Sequence, residues 1–151
     1  GAVVADLSAD EAAEIYALGA VLESFAARLA AERATPAAVE RLRELLAAMQ
    51  ATLERGDADA QTRYMTLDDE FHGTILAMAE NRRLDAVMRQ MVRVPVLVQA
   101  FHRYRDEDLQ QSLNQHRGIV AALAAGDPEW AETAMRAHVL SARAVMIPGQ
   151  N

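Results

Sequence analysis

Apolar residues recur every three or four positions along nearly the whole chain, and this spacing limits the choice of fold more than any other feature. Such a period gives each segment one apolar stripe, as on a helix packed against a core. Ala and Leu are abundant, whereas aromatic residues make up only 5% of the chain. Because Ala and Leu favour helices, the sequence predicts an all-α protein, an antiparallel bundle of about six helices.

Start and stop signals divide the periodic sequence into these helices. A Pro follows an N-cap residue in Thr35-Pro36 and in Asp127-Pro128, as at the first position of many helices. The predicted helices run over 9–34, from 36 to Gly56, from Asp57 or Asp59 to Asn81, over 82–104, from 106 to Gly126, and over 128–146. Pro95 should bend the fourth helix near Val94, because its ring removes a backbone donor and clashes with the preceding turn.

The length of the chain favours a single domain. A chain of 151 residues can bury one core but is short for two. We therefore expect one domain over 8–147, with short tails over 1–7 and 148–151. Because the first residue is Gly1 rather than Met, we also expect the chain to be a fragment of a longer protein.

The chain is acidic, with a formal net charge of -7 and a pI near 5.0. Such a charge repels nucleic acid and anionic membranes, so DNA binding should come from another domain. The absence of cysteine excludes disulfides and thiol catalysis, and it leaves histidine and carboxylate groups as the strong metal ligands. No apolar run approaches the roughly 20 residues of a membrane span, and no signal peptide is evident. We expect a soluble, cytoplasmic protein.

Four polar residues occupy positions where the helical spacing predicts a core. Asp68 and His72 lie one turn apart on the third helix, while His116 and His138 fall in the apolar stripes of the fifth and sixth. Residues at i and i+4 share a helix face, so the first pair can reach one ion. Since burying such groups without partners is costly, we predict that they share a divalent cation.

One carboxylate and three imidazoles suit a transition metal. Zinc is the first expectation, with nickel, manganese, cobalt or iron as alternatives, whereas so many nitrogen ligands disfavour calcium and magnesium. Four protein ligands leave open positions on an octahedral ion for water or a small organic acid, in a sensor or in an enzyme. The alternatives to a sensor are a helical-bundle metalloenzyme acting on a small carboxylate and a structural dimerisation domain with core histidines.

Several short segments, in a fixed order, match the pattern of one known family. They are Asp68-Asp69-Glu70-Phe71-His72, the run from His116 to Leu123 with the pattern H-x-x-I-x-x-A-L, Gly126-Asp127, and Met135 with His138 as a closing M-x-x-H. Helix one fits the opening of the same family. The ordered set covers nearly the whole chain and resembles the FCD domain, the C-terminal effector domain of FadR-type GntR transcription regulators.

The resemblance implies the metal-binding subtype of that family, with Asp68, His72, His116 and His138 as ligands. It also implies a small carboxylate effector, a homodimer, and an amino-terminal winged-helix domain, absent here, through which the full-length protein would bind DNA. We therefore predict an effector sensor and not an enzyme. Effector binding should draw the ligand-bearing helices together and bias the placement of the DNA-binding domains by a population shift.

One position departs from the family pattern. Many members carry an Arg on helix one, in an I-Y-x-x-R-x-x-L-E pattern, where it can clamp an effector carboxylate. This chain has Gly19 there. Arg89 and Arg93 are the candidate replacement cations, and Ser112, one turn before His116, is a candidate hydrogen-bonding partner of the effector. The alternative interpretations are solvated arginines and a hydroxyl bonded within its own helix.

Overall fold

The computed structural model describes residues 9–92 and 104–147. These residues form helices and no strand, so the predicted all-α bundle is confirmed. The helices are α1 (Ala9–Glu32), α2 (Pro36–Arg55), α3 (Ala60–Met78), α4 (Arg82–Val92), α5 (Asp106–Ala125) and α6 (Pro128–Met146). Within these parts of the chain, none of the helices has the length and apolar character needed to cross a lipid bilayer.

Local capping interactions set several of these boundaries. The Thr35 side chain accepts a hydrogen bond from the backbone N–H of Ala38 at 3.2 Å at the start of α2. Asp127 does the same for the backbone N–H of Trp130, at 3.0 Å, at the start of α6. Gly126 ends α5 with a φ of 62°, a left-handed conformation that glycine adopts without steric cost. The α5 to α6 turn is therefore encoded by two adjacent residues.

Two features differ from the sequence prediction. Helix α1 ends at Glu32 rather than at residue 34, because Thr35 must be extended to cap the next helix. Asn81 was expected to end helix three, but its side-chain oxygen accepts hydrogen bonds from the backbone N–H groups of Arg83 and Leu84, so it caps the start of α4. The predicted bend at Pro95 lies outside the described residues.

The helices pack around one core. Helix α1 lies along α6 in the most extensive helix contact, and the 2.7 Å ion pair between Arg28 and Glu132 joins the end of α1 to the beginning of α6. These two helices therefore run antiparallel. Helix α2 packs against α3 and α5, and α5 packs against α6. Phe71, Ile119 and Met135, from α3, α5 and α6, are buried in that core, so these three helices present their inner faces to the same interior.

The Asp127 cap has a measurable contribution to stability. Replacing Asp127 with Ala should lower the free energy of unfolding by about 1 kcal/mol, because the hydrogen bond to the backbone of Trp130 is lost. Urea denaturation of the metal-free protein measures the change. Asp59→Ala is the matched control, since Asp59 stands at the N-cap of α3 without a side-chain capping bond. Equal losses in the two variants would contradict this account of the turn.

Candidate metal centre

The four predicted ligands come together at the centre of the bundle. Asp68 and His72 extend from one face of α3, His116 from α5 and His138 from α6. Each offers one ligand atom, and all four atoms lie within 4.8 Å of one another. Both His116 and His138 are buried, as their places in the apolar stripes predict. The side chains of Asp68 and His72 are 16% and 21% exposed, so they form the accessible side of the cluster.

The inward-facing atoms have the spacing of ligands around one ion. The Nε2 atom of His138 lies 3.2 Å from Nε2 of His116 and 3.3 Å from Nε2 of His72. The Oδ1 atom of Asp68 lies 3.3 Å from Nε2 of His116. Ligands that bind a tetrahedral ion at about 2.0–2.1 Å are separated from one another by about 3.3 Å. A proton can be shared by only one pair of these atoms at a time, whereas an ion can bind them all.

Two of the imidazoles are oriented by groups behind them. The Nδ1 atom of His72 lies 2.6 Å from Oε2 of Glu23, and Nδ1 of His138 lies 3.1 Å from Oε1 of Gln115. Gln115 lies within hydrogen-bonding distance of His138 and can accept a hydrogen from Nδ1, whereas Glu23 forms an ion pair with His72 when that ring is protonated. The Nε2 atoms of both rings are thereby directed to the cluster, which is the usual arrangement behind metal-binding histidines.

Burial and neighbouring charges give the imidazoles different charge states. Burial lowers the pKa of His138 to about 3, with the charge of His72 adding to the effect. Burial, followed by His138 and His72, lowers the pKa of His116 well below its usual value. Burial also opposes the charge on His72, but Glu23 and Asp68 outweigh it and raise that pKa to about 9. Without metal, the neutral imidazoles of His116 and His138 therefore lie beside the protonated imidazole of His72. A metal would have to displace a proton from His72 in order to bind it.

A cavity of about 580 Å³ opens beside the cluster and reaches Asp68, His72 and His138. Its size is in the range of small-molecule sites. Two of the predicted effector contacts, Arg89 and Ser112, line this cavity. Arg93 lies outside the described residues.

The two lining residues are already engaged. Arg89 donates from Nε to Oδ2 of Asp85 at 2.9 Å, and its side chain is 73% exposed at the cavity edge. Ser112 is buried and accepts a hydrogen bond from the hydroxyl of Tyr64 at 3.1 Å. The ion pair with Asp85 holds the Arg89 guanidinium at the edge of the cavity. The hydrogen bond from Tyr64 fixes the Ser112 hydroxyl inside it.

Sequence reasoning assigned no role to Glu23, Gln115 or the cavity tyrosines. Gln115 precedes His116 directly, so its position beside His138 depends on how α5 and α6 pack. Glu23 lies one turn after Gly19, and the oxygen Oε1 of Glu23 would be 3.7 Å from a Cβ added at Gly19. The side of α1 that faces the cluster therefore carries a carboxylate. Two signals for Glu23 were available: it is the last residue of the I-Y-x-x-R-x-x-L-E pattern, and it lies on the same helical face as Tyr16, which also lines the cavity.

A helical bundle with buried metal-type ligands beside a small-molecule cavity is the architecture of a ligand-binding domain. The family model of the FCD domain matches residues 14–141. The chain belongs to the FCD domain family. A probable D-xylose utilization operon transcriptional repressor of Paenarthrobacter nicotinovorans is 32% identical to it over 139 residues, which are 92% of this chain and 59% of that relative. The resemblance to the FCD domain of GntR regulators is thus confirmed.

Solved structures agree with this assignment. Streptococcus agalactiae GntR matches with a TM-score of 0.67 and 27% identity, over 87% of this chain and 57% of that one. E. coli McbR/YncC matches with a TM-score of 0.80 over 94% of this chain and 66% of the other, and its 24% identity supports a common fold. The chain spans less than two thirds of the length of each of these relatives.

The cluster predicts a specific loss of metal when one imidazole is removed. His116→Ala and His138→Ala should each bind zinc at least about a hundredfold more weakly than the wild type, because each loses a ligand where even a supporting group contributes tenfold or more. Equilibrium dialysis of protein purified without an affinity tag measures the affinity. His102→Ala removes the remaining histidine of the chain and should keep the metal. Unchanged zinc affinity in a folded His116→Ala variant would contradict the assignment.

Proposed function

We propose that this chain is the effector-sensing domain of a bacterial transcription regulator, and that it binds a divalent transition metal together with a small organic acid. The observation that carries the proposal is the convergence of three Nε2 atoms and one carboxylate beside the cavity, whose wall includes Asp68, His72 and His138. A cluster that served only the stability of the fold would not require a cavity of that size beside it.

Asp68, His72, His116 and His138 would hold the metal, with Glu23 as the outward partner of His72. Zinc is the first candidate because it accepts nitrogen and oxygen ligands and can expand to five-coordinate, which would leave a position for the effector. Nickel, manganese, cobalt and iron also suit these ligands. The bound cation would supply positive charge at the cavity wall and favour a carboxylate there. That role explains how an acidic domain attracts an anionic effector.

The organic acid would contact the chain at two further points. Ser112 offers a buried hydroxyl near the cluster, and Arg89 offers a guanidinium at the edge of the cavity. Arg93, on the predicted continuation of α4, is a third candidate. Ser112 would orient the acid by hydrogen bonding, and the arginines would attract it.

The signal would pass through the helices that carry the ligands. Helices α3, α5 and α6 each contribute to the cluster, so an effector that binds one arrangement of these helices more tightly shifts the population towards it. In the full-length cytoplasmic protein this shift would change the placement of an amino-terminal winged-helix domain on DNA. The repressor activity in the name of the D-xylose relative is consistent with this scheme.

Metal and acid should act together. Differential scanning fluorimetry of zinc-loaded protein against a panel of small organic acids should identify acids that raise the Tm, with no rise after the zinc has been removed by a chelator. A His116→Ala variant is the control for direct binding to other surfaces. Acids that raise the Tm equally with and without metal would contradict the proposed role of the cluster.

We also propose that the domain forms a homodimer through α1. Leu18, Val21 and Phe25 are 49%, 51% and 42% exposed, and their spacing aligns them on one side of that helix. An exposed apolar stripe of this kind is typical of a protein interface. A second copy of the chain can cover it symmetrically, since the same stripe is present on both partners.

The dimer proposal predicts the behaviour of one surface variant. Val21→Glu should sediment as a monomer at concentrations where the wild type sediments as a dimer, because a charge in an apolar interface loses its hydration. Ala47→Glu, at an exposed position of α2, is the control and should remain dimeric. A dimeric Val21→Glu variant, or a monomeric wild type at high concentration, would contradict the proposal.

A further inference from the structure

We propose that the cavity selects a hydroxy acid with one carboxylate and excludes acids with two. This inference rests on the proposed function, because it assumes that the metal side of the cavity receives the first carboxylate. It concerns the part of the ligand that does not contact the metal and would lie against the side chains that line the cavity.

The described residues that line the cavity are rich in carboxylates. Glu23, Asp68, Asp69 and Asp85 face one guanidinium, that of Arg89. The Nε atom of Arg89 already donates to Asp85, so this cation is offset by its own partner. Asp68 belongs to the cluster. Once a bound metal has displaced a proton from His72, Glu23 and Asp69 remain as negative charges on the α1 and α3 side. A second carboxylate on the ligand would meet like charges there.

Glu23 cannot easily turn away from the cavity. Its Oε2 atom is held 2.6 Å from Nδ1 of His72, and its side chain is 23% exposed. The helix position one turn before it is Gly19, which is buried and has no side chain. The α1 wall of the cavity therefore presents a fixed acceptor and no cation.

The remaining polar groups of the lining suit hydroxyl groups. Tyr16, Tyr64 and Ser112 contribute hydroxyls, which can both donate and accept hydrogen bonds, whereas the carboxylates can only accept them. A ligand hydroxyl can donate to Glu23 or Asp69 and accept from Tyr16, since the hydroxyl of Tyr64 already donates to Ser112. A ligand carboxylate can accept a hydrogen bond from Tyr16 but cannot donate one to Glu23 or Asp69. The lining thus complements a polyhydroxylated chain with a single acidic end.

Matched ligands test this selection. Gluconate, glucarate and glucitol share one carbon skeleton and differ only at their ends, as do threonate, tartrate and threitol. Isothermal titration calorimetry of zinc-loaded protein should give, in at least one series, a monoacid that binds at least about tenfold more tightly than its diacid and its polyol. A diacid that binds as tightly as its monoacid would overturn the inference while leaving the proposed function intact. If no acid of either series binds, the inference also fails, and the proposed function is decided by the fluorimetry of the wider panel of acids.

Two variants should change the preference by altering charge. Gly19→Arg places a cation beside Glu23, where an added Cβ meets only an ordinary contact, and it should raise the diacid to monoacid affinity ratio at least about tenfold. Gly19→Ala is the control for the added side chain and should leave the ratio unchanged. Asp69→Asn removes one negative charge without changing side-chain size and should raise the ratio in the same direction. An unchanged ratio in both charge variants would overturn the inference.

Discussion

The cost of burying His116 and His138 beside Asp68 in an apolar bundle is the constraint on which the rest of the structure depends. Burial keeps both imidazoles neutral and raises the pKa of Asp68 to about 6, so the metal-free cluster is poorly solvated. Groups of this kind persist in a core when partners satisfy them. The proposed divalent cation would satisfy several of them at once, and it would link three helices whose ligands are far apart in the sequence.

The scaffold fixes these helices by ordinary means. The Gly126 and Asp127 turn sets α6 against α5, and the long contact between α1 and α6 holds the other side. Helix α1 also brings Glu23 to His72. Stability and the proposed ligand recognition therefore share the same elements. The helix that packs along α6 also supplies a carboxylate that pairs with His72 and adds negative charge to the cavity.

The sequence was most informative where a signal is local. Helical spacing placed His116 and His138 inside, and the cap at Asp127 marked the start of α6, because each depends on neighbours within one or two turns. Contacts between helices could not be predicted from such local signals. Glu23 lies 49 positions before His72, so their contact depends on how α1 crosses α3. The capping role of Asn81 was missed for a local reason, since an Asn between two helices can end one or begin the next.

The central claim is that one ion binds all three imidazoles and Asp68, and X-ray absorption spectroscopy of the zinc-loaded protein tests it most directly. The account predicts a first shell of nitrogen and oxygen at about 2.0–2.1 Å, with outer-shell scattering from three imidazole rings. His102→Ala should leave that spectrum unchanged. A first shell of oxygen alone, or scattering from fewer than three imidazoles, would contradict the account.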